Sequence, residues 1–150
     1  DISLVLAERL ARLITAAGPK RTVVLSSSWR RPQHKYRAVR LERKLSDLLG
    51  TRFSFDERTP LRSDSSAPLR LECIGDFLSS LKVLPQGKLR LLVLEDFFIT
   101  RMNGWSCNGT RVDSTEAAER YLLGRLPRSV TATARVVHTY DEWVTPGGLL

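Results

Sequence analysis

Leu6, Leu10, Leu13, Ile14 and Ala17 recur at helical spacing and predict an amphipathic helix over Ile2–Ala17, stopped by Gly18-Pro19. The run Arg21–Leu25 is apolar and β-branched after its first residue and predicts a buried parallel strand ending at Ser26-Ser27-Ser28. A second helix starts after Pro32 and reaches Leu49, with Gly50 as its stop. Within it Leu41, Leu45 and Leu48 form the inward face, and Val39 reaches the apolar side. Arg52-Phe53-Ser54-Phe55 alternates like a short strand, and residues 56–68 lack periodicity and predict a loop. Leu69–Leu81 is again helical, Leu84-Pro85-Gln86-Gly87 a turn, and Leu89–Leu94 a second buried strand. Two Asn-Gly pairs around Trp105 give residues 99–112 the character of an irregular loop or a tight hairpin. Asp113-Ser114-Thr115-Glu116 has capping-box spacing and opens a helix to about Leu126, followed by a last strand over Thr131–Thr139.

Strands alternating with helices predict an α/β fold with a mostly parallel sheet flanked by helices. We expect one domain over residues 1–145 and a loose tail over 146–150, where Pro146-Gly147-Gly148 begins. Doubly wound domains usually open on a strand, whereas this chain opens on a helix, so a first strand is apparently absent.

Charge changes the picture more than composition does. The chain carries 24 Lys and Arg against 16 Asp and Glu, a net charge of +8, and all but five of the basic residues are Arg. Arg presents a planar fork of donors suited to phosphate, and such a field attracts polyanions. No apolar run approaches the ~20 residues of a membrane span, so membrane insertion is not expected. Cys73 and Cys107 lack zinc-ligand spacing and read as free thiols of an intracellular reducing compartment, cytoplasm or organelle matrix, rather than of a secreted protein. The missing initiator Met suggests a processed or truncated product.

Candidate chemistry lies at the carboxyl ends of the strands, where open α/β sheets bind ligands. Hydroxyls at Ser26, Ser27 and Ser28 are placed to donate to phosphate oxygens. Glu95 and Asp96 are placed to hold Mg²⁺, which takes carboxylates together with water and substrate phosphate. Arg70 opens the helix before the acidic strand and suits charge neutralisation on a phosphoryl group. The alternatives for these features are a turn cap, a solvated loop and a surface cation.

Leu25-Ser26-Ser27-Ser28-Trp29-Arg30, Arg70-Leu71-Glu72-Cys73-Ile74 with Phe77-Leu78, and Leu92-Val93-Leu94-Glu95-Asp96 resemble motifs of the haloacid dehalogenase (HAD) superfamily. The pattern is most similar to the HAD domains of Swiss Army Knife RNA repair-like proteins, over roughly residues 4–126. The resemblance implies a Rossmann-like sheet and Mg²⁺-dependent phosphoryl transfer through an aspartyl-phosphate. It assigns Ser27 as the phosphate-binding hydroxyl, Arg70 as the basic residue of the third motif, and Glu95 and Asp96 as metal acids. The superfamily's first motif, Asp-x-Asp on the first strand, has no counterpart. Asp1 is followed by no second Asp and is not assigned as nucleophile, so the sequence as written is expected to be catalytically inactive.

Arg30, Arg31, Lys35, Arg37, Arg40, Arg43 and Lys44 fall within one short segment, against the single acid Glu42. Arg37, Arg40 and Lys44 share a helix face, which suits nucleic-acid phosphates. The other reading is a solvated face. His34 reads as a surface residue, and Trp105 and Trp143 as packing residues or base-stacking platforms. Three functions compete. One is a non-catalytic HAD-like subunit of an RNA-containing assembly such as an organellar ribosome. Another is a Mg²⁺-dependent phosphatase of phosphomonoesters or nucleic-acid ends, which requires an upstream Asp-x-Asp strand. The third is a protein-interaction module whose sheet is completed by a partner's strand.

Overall fold

The side chain of Ser3 accepts the Leu6 N–H and starts the first helix, α1 (Leu4–Ala16). In the computed structural model, residues 2–81, 88–95 and 104–138 are described. The predicted turn at Leu84–Gly87, the stretch 99–103, Asp96, Trp143 and the tail lie outside them. The described residues fall into two compact units, 2–61 and 62–138. The chain is mixed α/β, with four α-helices and small sheets among the described residues. None of those helices is long and apolar enough to cross a membrane.

In the first unit, α1 leads to β1 (Val24–Leu25), two short 3-10 turns, and α2 (Lys35–Leu49). Gly50 closes α2 at φ 72°, the left-handed conformation that glycine enters without a Cβ clash. Ala11 and Ile14 of α1 pack with Leu45 of α2 and with Phe53, and Leu10, Leu41 and Leu49 complete the cluster. Leu49, not Leu48, faces inward, and Leu48 is exposed. Phe53 and Phe55 meet edge to face with centroids 5.3 Å apart.

The strand expected over Arg52–Phe55 does not form. Side chains of α2 take its backbone donors, because Phe53 N–H donates to Ser46 Oγ at 2.8 Å and Phe55 N–H to Glu42 Oε2 at 2.8 Å. The ladder shifts to β2 (Glu57–Arg58), parallel to β1. Asp56 secures this register: its N–H donates to the Val23 carbonyl, and its carboxylate accepts the Val23 N–H at 2.7 Å.

The second unit runs α3 (Ala67–Ser79), β3 (Lys88–Glu95), β4 (Trp105–Cys107), β5 (Thr110–Val112), α4 (Thr115–Arg125) and β6 (Thr131–His138). β3 and β6 pair in parallel over eight residues, from Lys88↔Thr131 to Glu95↔His138. Leu71, Ile74 and Leu78 of α3, Val93, Val136, and Ala118, Tyr121 and Leu122 of α4 make one core. The continuous apolar run of β3 predicts burial on both faces, but among the described residues one face is covered. Leu89, Leu91 and Val93 pack inward, whereas Lys88, Arg90 and Leu92 are exposed, as the two-residue period of a strand requires when one face is packed.

β4 and β5 form the tight hairpin. Asn108 (φ 49°) and Gly109 (φ 82°) are its two turn residues, the Asn-Gly signature of a type I′ turn. Ser114, one residue later than the box reading implies, caps α4 by accepting the Ala117 N–H at 3.1 Å. The sheets among the described residues are two-stranded, two parallel and one antiparallel.

Candidate functional site

β1 ends in the predicted hydroxyl segment. Ser27 Oγ accepts the Trp29 N–H at 3.2 Å and caps the first 3-10 turn, Ser28–Arg30. Ser26 Oγ accepts the hydroxyl of buried Thr59 at 3.2 Å, and Ser28 is exposed. Arg30, expected to grip phosphate, is instead only 5% exposed. Its Nε donates to the Thr59 carbonyl at 3.1 Å, Nη1 to the Ser26 and Ser27 carbonyls at 3.0 Å each, and Nη2 to the Pro60 carbonyl at 3.0 Å. This guanidinium ties the end of β1 to the segment after β2. A buried cation needs such acceptors to offset its lost hydration. The tie fixes the hydroxyl segment and turns Nε, Nη1 and Nη2 of Arg30 toward backbone carbonyls.

The basic row of α2 is presented outward. Lys35, Arg37, Arg40 and Arg43 are exposed, while Lys44 is half-buried. Beside the row stands Tyr36, 56% exposed. Arg37 Nε donates to the Tyr36 hydroxyl at 3.0 Å, and its guanidinium lies 5.6 Å from the ring centroid. Exposed Tyr36 offers a stacking surface within a row of phosphate-binding donors. Sequence reasoning weighed that role only for Trp105 and Trp143 and favoured packing for both; Trp105 does pack against the core of the second unit. The signal for Tyr36 was an aromatic residue enclosed by charge, in Lys35-Tyr36-Arg37, where no apolar face calls for it.

In the second unit, Arg70 at the start of α3 and Glu95 at the end of β3 are brought together. Arg70 Nη2 lies 2.6 Å from Glu95 Oε1, and Glu95 is 7% exposed. The HAD resemblance implies Mg²⁺ at Glu95. That oxygen already holds a guanidinium, and no group of three His, Cys, Asp or Glu side chains gathers among the described residues. Mg²⁺ demands near-octahedral oxygen ligation; of the two acids expected to supply it, Glu95 is paired with Arg70 and Asp96 lies outside the described residues.

A second polar cluster was not foreseen. Arg62 bridges Glu72 at 2.8 Å and Asp76 at 2.6 Å, and Arg125 of α4 reaches the other Asp76 oxygen at 2.8 Å. Glu72 Oε2 also accepts the Asn108 N–H at 2.8 Å, and the Tyr121 hydroxyl donates to Asn108 Oδ1. The hairpin turn is thereby fastened to α3 and α4. Sequence offered no signal, because the partners lie 10 to 49 residues apart.

Burial pushes the Tyr121 phenol up from 10.0 to about 12. Burial, and then the Glu72 charge, push the Cys107 thiol up from 9.0 to about 11. Both groups fold in their protonated forms. The stability each contributes is complete below its unfolded value and is lost as pH rises through its folded value. We expect the urea midpoint to fall between pH 9 and 12, and Tyr121→Phe to flatten the fall above pH 10. A wild-type midpoint flat across that window would contradict this account. Cys73 and Cys107 are both buried free thiols.

No family model, no curated protein and no solved structure matches this chain.

Proposed function

We propose that this chain is a non-catalytic domain of HAD-like, Rossmann-related ancestry that binds RNA phosphates as part of a larger ribonucleoprotein assembly in a reducing compartment. The observation that carries this reading is the exposed basic row of α2, Lys35, Arg37, Arg40 and Arg43 beside the exposed Tyr36, in a chain of net charge +8. Guanidinium groups there meet phosphate without reading sequence, and an aromatic ring stacks on any base. The residues that would carry phosphoryl transfer favour a structural reading. Arg30 is enclosed by carbonyls, Ser27 caps a turn, and Glu95 is paired with Arg70.

The test is fluorescence anisotropy with a labelled single-stranded RNA. Arg37→Gln/Arg40→Gln should weaken binding roughly tenfold, each lost phosphate contact forgoing its counterion release. Both side chains are exposed, so the fold should persist, as circular dichroism would report. Binding by the double variant equal to wild type would sink the assignment to this face.

A further inference from the structure

The parallel sheet of β3 and β6 is two-stranded, so each strand has one outer edge, and the two edges differ. On β6 the Val136 N–H donates to Glu119 Oε2 of α4 at 2.8 Å. That N–H points away from β3, and a carboxylate plugs the edge. Backbone groups alternate in direction along a strand. With Val136 turned outward, the register Arg90↔Thr133 and Leu92↔Arg135 gives the ladder the N–H groups of Leu91 and Val93. The N–H and C=O groups of Arg90, Leu92 and Leu94 therefore line the other edge of β3. Among the described residues no strand lies beside that edge, and no side chain takes those backbone groups.

Parallel sheets are seldom so narrow, and a long apolar edge with unpaired backbone groups is a template for another strand. The flank of the core beside this edge is open as well. Leu89 and Leu91 point inward but are only half-buried. On the opposite face Lys88 and Arg90 are exposed, and Leu92 is 42% exposed. A second copy of β3 brings no acid to that face, since Glu95 lies on the inward one, so the cations would gain no partner from it. A strand carrying carboxylates at the facing positions gains cross-strand charge pairs. Apolar residues at its alternate positions would cover Leu89 and Leu91.

We propose that the free edge of β3 accepts a β-strand from a partner protein, one that alternates apolar residues on the core side with acidic residues beside Lys88 and Arg90. This goes beyond the RNA reading, because the edge lies in the second unit and uses none of the α2 cations.

The experiment follows amide hydrogen exchange in the full ¹⁵N-labelled chain, alone and with a capped peptide of alternating Val and Glu as long as the eight-residue ladder. Without peptide, the amides of Arg90, Leu92 and Leu94 should exchange faster than those of Leu91 and Val93. Saturating peptide should slow them roughly tenfold or more, and a peptide of alternating Val and Lys should not. Lys88→Glu/Arg90→Glu should weaken binding of the Val-Glu peptide roughly tenfold and confer binding of the Val-Lys peptide. Leu92→Pro removes an N–H that the β3–β6 ladder does not use and should abolish peptide binding. Retained protection of Leu91 and Val93 would show that the ladder persists in that variant. Arg37→Gln/Arg40→Gln should leave peptide binding unchanged, which separates this proposal from the RNA reading. Absence of saturable protection, or equal binding by a peptide N-methylated along its pairing edge, would overturn the proposal. Protection of these amides without peptide would also overturn it. If independent of concentration, that protection would assign the edge to this chain itself, and if it grew with concentration, to a second copy. Slowing of the same amides by single-stranded RNA alone would assign the edge to nucleic acid and overturn the partner strand.

Discussion

Arg30→Ala is expected to destabilise the first unit by about 3 kcal/mol or more, since hydrogen bonds to charged groups contribute roughly 1.5–3 kcal/mol each. The substitution removes donors from the carbonyls of Ser26, Ser27, Thr59 and Pro60 together and leaves a cavity where a side chain 5% exposed had packed. Arg30→Lys should recover only a small part of the loss. An ammonium is a point donor and cannot span carbonyls on two chain segments as the planar fork does. Urea denaturation followed by circular dichroism measures both. An Arg30→Ala chain as stable as wild type would show that the guanidinium is incidental to the fold. It would also return Arg30 to the set of available phosphate ligands.

Arg70→Met is expected to cost about 2 kcal/mol, below the 3–5 kcal/mol typical of a fully buried pair. Glu95 is 7% exposed, but Arg70 keeps 29% of its side-chain surface in water, so solvent already screens part of their attraction. The loss comes mainly from taking the Arg70 guanidinium away from a Glu95 carboxylate in a site that excludes water. Arg70→Met/Glu95→Leu should therefore regain most of the lost stability, because an apolar pair removes the desolvation penalty along with the attraction. The double variant thus tests what Glu95 does. A structural ion pair predicts recovery by that route. A double variant less stable than Arg70→Met would contradict the pairing as the reason Glu95 is buried.

Turn chemistry was the part of the fold most legible in the sequence. Gly50 ends α2 and Asn108-Gly109 turns the hairpin because left-handed backbone selects those residue types locally. The parallel sense of the β3–β6 pair agrees with strands alternating with helices, although the sequence did not say which strands would pair. Long-range competition was hidden. The alternation of Arg52–Phe55 satisfies a strand pattern, yet Ser46 and Glu42 reach across from α2 to take its N–H groups. The start of α3 at Ala67, two residues before the expected position, follows from Ser66, whose hydroxyl caps Leu69 N–H across Pro68.

The candidate site divides along the same line. Charge spacing alone placed Arg37 and Arg40 on an exposed face, since a solvated helical face is a local property. The enclosure of Arg30 was not legible, because its acceptors at Thr59 and Pro60 belong to a segment 29 to 30 residues later. For the same reason Arg62, Asp76 and Arg125 read as scattered surface charges until α3 and α4 bring them together.

The account stands most directly on the salt dependence of RNA binding by the full chain. Log K against log salt for a single-stranded RNA should be linear and steep, falling by about 0.7 for each phosphate neutralised. The Arg37→Gln/Arg40→Gln slope should be shallower by roughly one to two such increments. An affinity independent of salt, or a slope that the double variant leaves unchanged, would contradict RNA binding through α2.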